Sequence, residues 1–256
     1  LSKIGQLNVI SRTTMMQYKG AKKTLREIGE ELNAGVIVEG SVRRAGNLVR
    51  ITAQLIDANT DKHLSAETYD KEFKHIFAIQ SDVAEKIAAA LQATLSAAER
   101  ERIAKAPTEN TDAYTLYLKG RENYYRYKKQ ENEAAIESFK QAIVLDPSYA
   151  QAWAGLGDGY AQRFGRFGYA ITWLDSAIGA SERAIELDSN SAEGHTALGT
   201  ALAYKGFIEE AIPEFEMATE LNPSYFLALG TLVNLHVNRG ALDEALLWAK
   251  KVTILN

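Results

Sequence analysis

One pattern of large and small residues recurs along the second half of this 256-residue chain. The stretch 153–160 reads W-x2-L-G-x2-Y, and 195–199 repeats its spacing as H-x2-L-G. The unit that opens at His195 is completed by Ala211, Phe215, Ala218 and Pro223 and is about 34 residues long. Such a period is typical of helical hairpins that bury their apolar faces against neighbouring copies. The second half is therefore predicted to be an all-α array.

Four such units are visible. The first carries Gly120, Ala135 and Pro147, with about three extra residues between its helices, and the last opens at Leu229 and is cut short, which gives about 3.5 repeats. Three helix exits read nearly alike: AIVLDPSYA from 142, AIELDSNSA from 184 and ATELNPSYF from 218. In each, an apolar last turn reaches Asp or Asn, and Pro or Ser then stops the helix.

On these motifs, residues 113–256 resemble tetratricopeptide repeat proteins. The resemblance implies a right-handed superhelix whose first helices line a concave surface that binds proteins or peptides. The second unit departs from the pattern, because about eight extra residues, including RFGRFGYA at 163–170, lie between Tyr160 and Ala184. A longer loop or longer helices are expected there.

The first half is predicted to be a small α/β domain of order βαβββα. A short strand at Leu7–Ser11 precedes a helix at Leu25–Leu32, which Asn33 and Gly35 end. Apolar residues then alternate on both sides of the AGN turn at 45–47, which predicts a β-hairpin. A more polar third strand through Leu64–Tyr69 and a helix over 73–95 follow. The first strand lacks a neighbour, so the domain is expected to be truncated.

Residues 36–87, from VIVEGSVRRAGNLVRITAQL onward, resemble the TolB amino-terminal-like domain of bacterial signalling proteins. In that family the domain commonly lies upstream of tetratricopeptide repeats and downstream of a nucleotide cyclase, a kinase or a winged-helix domain. The resemblance implies a segment of a larger bacterial signalling or regulatory protein. It brings no catalytic residues with it.

Charge and composition divide the chain and restrict its partners. The first hundred residues hold 14 basic and 12 acidic groups and the rest 15 and 21, and a polar stretch separates the halves. We place the boundary near Ala106–Thr111, giving domains 1–106 and 107–256. The overall charge of −4 argues against a polyanionic partner. The apolar runs are too short for a membrane span, which predicts a soluble chain on the cytoplasmic or the periplasmic side.

The sequence offers no catalytic constellation and no cofactor or metal site. The glycines of G-L-G-D-G-Y at 155–160 follow no strand and are explained by helix packing. The chain has no cysteine, and its four histidines lack partners at ligand spacing. His195 and His236 are interpreted as structural, hydrogen-bonded histidines at packing positions. The chain itself is therefore not expected to be an enzyme.

A group of basic residues supplies an alternative function. Arg43, Arg44 and Arg50 lie on or beside the hairpin turn, and Lys22, Lys23 and Arg26 precede it. Together they could contact phosphates, which would make the chain a segment of a nucleic-acid-associated transcriptional regulator. A solvated hairpin tip is the simpler interpretation.

The repeat register indicates a different candidate surface. Counting from the first position of each unit places these residues on the concave face: Gln151, Asp158, Gln162, Glu193, Thr200, Tyr204, Asn234 and Asn238. The first unit adds Tyr114, Tyr117, Arg121, Tyr124 and Tyr125, an aromatic and cationic group typical of peptide-binding surfaces. The sequence thus predicts a non-catalytic scaffold that binds a peptide, a protein or a second copy of itself.

Overall fold

The computed structural model describes residues 4–10 and 12–255 and divides them into two compact units. The first unit comprises the residues up to Ala106 together with those from Thr253 onward, and the second runs Pro107–Val252. A three-stranded antiparallel sheet with a few helices is followed by successive helix pairs. The predicted α+β fold class is confirmed.

The elements of the first unit are α1 Arg12–Met16, α2 Leu25–Leu32, β1 Val36–Ala45, β2 Leu48–Asp57, β3 Lys62–Glu72, a 3-10 turn Phe73–His75, α3 Ile76–Ala90 and α4 Ala97–Ala104. The strands are ordered β1-β2-β3. The predicted hairpin is present, and Gly46 (φ +58°) supplies the left-handed turn residue that joins β1 to β2.

Both faces of the sheet carry a helix. On one face Ile28 and Leu32 of α2 form a buried cluster with Ile37 and Ala58. On the other, the Tyr69 hydroxyl donates a 2.7 Å hydrogen bond to Asp82 of α3. The sheet is therefore held between α2 and α3, with β1 at its edge.

The N-terminal strand prediction is wrong for the described residues Leu7–Ile10, which form no strand; Ser11 lies outside the described residues. The backbone amide of Gly5 instead donates to Glu99, and the Gln6 side chain accepts from the amide of Thr94. The residues just before this segment therefore make polar contacts with the region of α4, and Ile10 at its end packs against the α2 cluster.

The long helix predicted over 73–95 ends earlier, at Ala90. Gln92 adopts a left-handed conformation (φ +56°), and the amide of Ala93 donates to the carbonyl of Ala88, which closes the helix. A separate helix, α4, then starts at a capping box between Ser96 and Glu99. The sequence pattern predicts only a polar stretch between the two halves here.

The second unit is built from helix pairs: α5 Thr111–Tyr124, α6 Lys129–Leu145, α7 Ala150–Phe167, α8 Thr172–Leu187, α9 Ala192–Lys205, α10 Ile208–Leu221, α11 Phe226–Asn238 and α12 Leu242–Leu255. Within the first three pairs the two helices pack together, and α5 packs on α7 as α7 packs on α9. None of the helices in the described stretches combines the length and the apolar character that crossing a bilayer requires.

The core of the first two pairs forms around Phe139, which is fully buried. A Cβ atom added to Gly120 or Gly155 would lie 2.5–2.6 Å from atoms of its ring. Glycine at both positions lets α5 and α7 approach α6 closely. The repeated glycines of the sequence pattern are thus packing residues.

The extra residues of the second unit lengthen α7 to Phe167, one of the two expected outcomes. Gly168 (φ +68°) ends the helix, and the Tyr169 hydroxyl donates to Glu133 at 2.8 Å. The Arg163 guanidinium lies 4.3 Å from the ring centre of Trp173 and 5.2 Å from that of Tyr169. Cation–π contacts therefore hold this segment in place.

Candidate functional site

Side chains from the first helices of three pairs, and from the residue that precedes the first helix of the fourth, interact electrostatically. We call the following six residues the inner cluster: Tyr117, Arg121 and Tyr124 of α5, Asp158 of α7, Glu193 of α9, and Tyr225, which precedes α11. Asp158 interacts with both Arg121 and Glu193, and Tyr225 interacts with all three of these charged groups. These residues therefore lie on one common face of the repeat array.

An ion pair joins α5 to α7 at the centre of the cluster. Arg121 Nη1 lies 3.3 Å from Asp158 Oδ2, and their side chains are only 16% and 5% exposed. Arg121 also donates to the Tyr125 hydroxyl, and its guanidinium is 4.8 Å from the Tyr125 ring centre. The cation is thus held by one carboxylate and by aromatic faces.

The cluster has more negative than positive charge. Burial raises the pKa of the Asp158 carboxyl to about 6, Arg121 lowers it in part, and the nearby Glu193 carboxylate raises it again. Glu193 itself is half-buried, and no ion pair joins it to another residue in the part of the chain that is described. One guanidinium therefore faces two carboxylates.

Burial raises the pKa of the hydroxyls of Tyr117, Tyr124 and Tyr225. They stay protonated at neutral pH, so each hydroxyl remains a hydrogen-bond donor. The Tyr117 ring is also 5.3 Å from that of Tyr149, which is completely buried. The rings thus give the cluster a rigid aromatic wall.

Several residues that the repeat register placed on the concave face are engaged elsewhere. Buried Gln162 accepts from Asn132 at 2.9 Å and donates to the Tyr124 carbonyl at 3.4 Å, so it links three helices. The Thr200 hydroxyl donates to the Thr196 carbonyl of its own helix. Gln151 accepts a 3.4 Å hydrogen bond from the Tyr149 hydroxyl.

The remaining predicted residues lie further along the array. Tyr204 is exposed, with its ring 6.1 Å from that of Phe164, and Asn234 and Asn238 are exposed on α11. The structure thus brings together five of the predicted residues: Tyr117, Arg121, Tyr124, Asp158 and Glu193.

Sequence reasoning missed Tyr225 as a member of the cluster. Tyr149 and Tyr225 occupy the same place in two helix exits, P-S-Y, immediately before α7 and α11. The repeated tyrosine was therefore a usable signal.

The two repeat histidines differ from each other. His195 Nδ1 lies 2.6 Å from Glu214, whose hydrogen bond raises the His195 pKa against the effect of burial. His236 is buried, but neither ring nitrogen has a hydrogen-bond partner, so the expectation of a hydrogen-bonded histidine is wrong there. The described residues contain no group of three or more side chains arranged to hold a metal ion.

Three of the six basic residues of the first unit that could contact phosphates are paired with carboxylates. Arg50 makes two hydrogen bonds to Asp70, at 2.6 and 2.9 Å. Lys23 pairs with Glu31, and Arg26 with Glu30. A phosphate group would have to displace these partners, so the structure gives the nucleic-acid alternative no support.

Comparisons with known proteins identify the helix pairs. Family models described as "TPR repeat" and "Tetratricopeptide repeat" match residues 125–162 and 196–254. The chain therefore contains tetratricopeptide repeats.

One relative extends the similarity beyond the repeats. A Rhizobium meliloti (strain 1021) protein named "Putative adenylate cyclase 3" is 34% identical over 215 residues, which cover 82% of this chain and 36% of that protein. The chain thus spans about a third of the length of this relative.

A solved structure agrees on the fold. A thermophilic TPR protein in Thermus thermophilus is 22% identical, with a TM-score of 0.50, and the match covers 70% of this chain and 88% of that one. MamA is also similar, being 28% identical with a TM-score of 0.43, over 56% of this chain and 78% of that one.

Proposed function

We propose that this chain is a non-catalytic protein-interaction segment of a larger bacterial signalling protein. Residues 107–256 act as the binding domain, and the concave face of their tetratricopeptide repeats takes a peptide or protein partner. Residues 1–106 form a second domain, similar to the TolB amino-terminal-like domain. The similarity to a protein named as an adenylate cyclase supports this signalling context.

The observation that carries the proposal is the inner cluster. Burying an arginine, two carboxylates and several tyrosines on one face costs desolvation energy that apolar side chains would not cost. The repeat helices also contact one another through glycine, alanine and phenylalanine, so the Arg121 and Asp158 charges are not the only link between them. A polar, aromatic surface of this kind is typical of binding sites for polypeptides.

The charge of the cluster favours a cationic partner residue. Arg121 already faces Asp158, whereas Glu193 has no cation within ion-pair distance among the described residues. A lysine or arginine entering beside Glu193 would balance its charge, and the tyrosine rings would contact the cation. We therefore expect the bound peptide to place a basic side chain there.

A peptide selection tests the proposal. The purified chain is immobilised and a random dodecapeptide phage library is panned against it; a selected peptide is then synthesised and titrated calorimetrically. We expect lysine or arginine in the selected peptides. Glu193→Gln should weaken binding by about tenfold, which corresponds to roughly 1.4 kcal/mol.

Glu210→Gln serves as the matched control, because Glu210 is an exposed carboxylate on a second helix. It should leave the affinity unchanged. Failure to select any peptide whose binding depends on the inner cluster would contradict the proposed function. Selection of acidic peptides at this site would contradict only the preference for a cation.

A further inference from the structure

The first two repeats depart from the repeat pattern at the same end of their first helices. The helix α7 has 18 residues, whereas α5 and α9 have 14 each. Residues 125–128 join α5 to α6, while 206–207 are enough to join α9 to α10. The third pair thus closes without either addition. The extra turn of α7 and the longer α5–α6 loop are features of the first two repeats that the repeat pattern does not explain.

These two additions contact each other. The Arg166 guanidinium, in the last turn of α7, lies 4.7 Å from the ring centre of Tyr127, which belongs to the α5–α6 loop. Tyr127 has a φ of +53°, in the left-handed region that glycine adopts more easily. The tyrosine therefore holds its ring beside Arg166 at a steric cost that glycine would avoid.

Arg166 continues the surface of the inner cluster. The Tyr127 ring lies 6.1 Å from that of Tyr124, a member of the cluster. Tyr127 interacts electrostatically with Arg166 and also with both members of the central ion pair. Arg166 follows Asp158 by eight residues on α7, which is about 12 Å along the helix axis. The aromatic wall thus extends from the inner cluster to a second cation at the end of α7.

Arg166 has no carboxylate partner in the described part of the chain. Its side chain is exposed and forms neither an ion pair nor a hydrogen bond with a described residue; its contact is the face of the Tyr127 ring. Arg121, by contrast, is already paired with Asp158. A guanidinium stacked on a ring still presents N–H groups that match the two oxygens of a carboxylate. The end of α7 therefore fits an anionic group.

A second exposed ring lies against the same turn of α7. Tyr204 of α9 is 46% exposed, and its ring is 6.1 Å from that of Phe164. A Cβ atom added to Gly165 would overlap the Tyr204 ring, so glycine lets this ring lie close to the helix. Exposed tyrosines from the repeats before and after α7 thus surround its last turn. Their rings offer apolar contact to an extended peptide.

We propose that Arg166 is an anion-binding subsite of the concave face and that the bound peptide carries charges of both signs. This inference rests on the proposed function and specifies its partner. A basic side chain lies beside Glu193, and an aspartate or glutamate side chain pairs with Arg166. An extended peptide rises about 3.3 Å per residue, so the two side chains are roughly four or more residues apart. Two opposite charges also fix the direction in which the peptide binds.

Peptides selected against the wild-type chain test the proposal once they are sorted by their dependence on Glu193, measured with Glu193→Gln. We expect the dependent peptides to contain aspartate or glutamate four or more residues from the lysine or arginine. Arg166→Ala should weaken binding of such a peptide by about fivefold at low salt. Replacing the acidic residue of the peptide by its amide should have the same effect, and both changes together should weaken binding no further.

Charge reversal gives a second readout that a merely structural role of Arg166 would not produce. Arg166→Glu should bind a peptide whose acidic residue is replaced by lysine more tightly than it binds the original peptide. Arg183→Ala is the matched control, because Arg183 is an exposed arginine on the second helix α8, and it should leave the affinity unchanged. Circular dichroism of each variant establishes that it is folded.

The possible failures separate this inference from the proposed function. Peptides that depend on Glu193 but lack an acidic residue would overturn the Arg166 subsite and leave the proposed function intact. So would an affinity unchanged by Arg166→Ala, or a loss that is independent of the acidic residue of the peptide. The absence of any peptide that depends on the inner cluster would overturn both.

Discussion

Arg121 and Asp158 form an ion pair across two neighbouring repeats, with 3.3 Å between Nη1 and Oδ2. The pair links the first helices α5 and α7 on the face where the partner is proposed to bind. Its carboxylate is so deeply buried that its pKa rises to about 6. The arrangement therefore connects repeat stability to pH.

Asp158→Asn should remove a pH-dependent part of the stability. The folded-state pKa of Asp158 lies above the usual 3.8, so the contribution of this carboxyl to wild-type stability is complete below about pH 4 and is lost as the pH rises through about 6. The effect is on the order of 2–3 kcal/mol. In urea unfolding between pH 4 and 7.5, the free energy of unfolding of the variant should rise relative to that of the wild type as the pH increases. If the unfolding free energies of the two proteins changed with pH in parallel, a raised pKa of Asp158 would be contradicted.

Glu214→Gln should reveal a pH dependence of the same sign, but at higher pH. The hydrogen bond to Glu214 raises the His195 pKa above its usual 6.5, so this contribution is complete below pH 6.5 and is lost as the pH rises through the folded-state pKa. The destabilisation by the substitution should be roughly 1 kcal/mol larger at pH 6 than at pH 8.5. Thermal melts of wild type and variant check it, with Glu210→Gln as the control. Equal destabilisation at both pH values would rule out the charged pair.

Gly155→Ala should destabilise the repeat array although alanine favours helix. The new methyl group would enter the space of the Phe139 ring. Overpacking of this kind costs about 1–3 kcal/mol, which exceeds the gain in helix propensity of roughly 1 kcal/mol. Gly179→Ala is the matched control, because nothing lies within 4 Å of an added Cβ on that α8 residue. Denaturant midpoints should fall for the first variant and rise slightly for the second.

Gln92→Gly should stabilise the chain. Gln92 is exposed and holds a left-handed φ of +56° where α3 ends. Glycine adopts this conformation without the steric cost, so we expect a gain of about 0.5–1 kcal/mol in the free energy of unfolding. Gln92→Ala should bring no such gain. A loss of stability with glycine would show that the side chain itself contributes to the helix end.

The repeat array could be predicted because its spacing reflects local packing. Two features recur at similar intervals and are therefore visible in a single sequence. Glycines pack against Phe139 and Phe215, and polar residues follow the end of each second helix. The fold of the first unit was harder to predict. The segment Leu7–Ile10 fits a strand pattern but forms no strand: Gly5 and Gln6 before it contact Glu99 and Thr94, and Ile10 packs against the α2 cluster.

The candidate site was only partly predictable for a physical reason. Repeat register indicates which helix face a residue lies on, and the three predicted residues Arg121, Asp158 and Glu193 are close enough to interact electrostatically. It does not indicate which polar groups are already used within the protein, as those of Gln162 are by Asn132 and the Tyr124 carbonyl. Those pairings depend on distances between helices that are remote in sequence.

The Phe139 ring lies against glycines from two successive first helices, Gly120 of α5 and Gly155 of α7. Opening either repeat would expose the same ring to water, so the first two repeats should open as one cooperative unit. Amide protons of α5 and α7 should then exchange with solvent at similar rates. A partner spanning these helices would meet a surface that is already rigid, and little of its binding energy would be lost to ordering it.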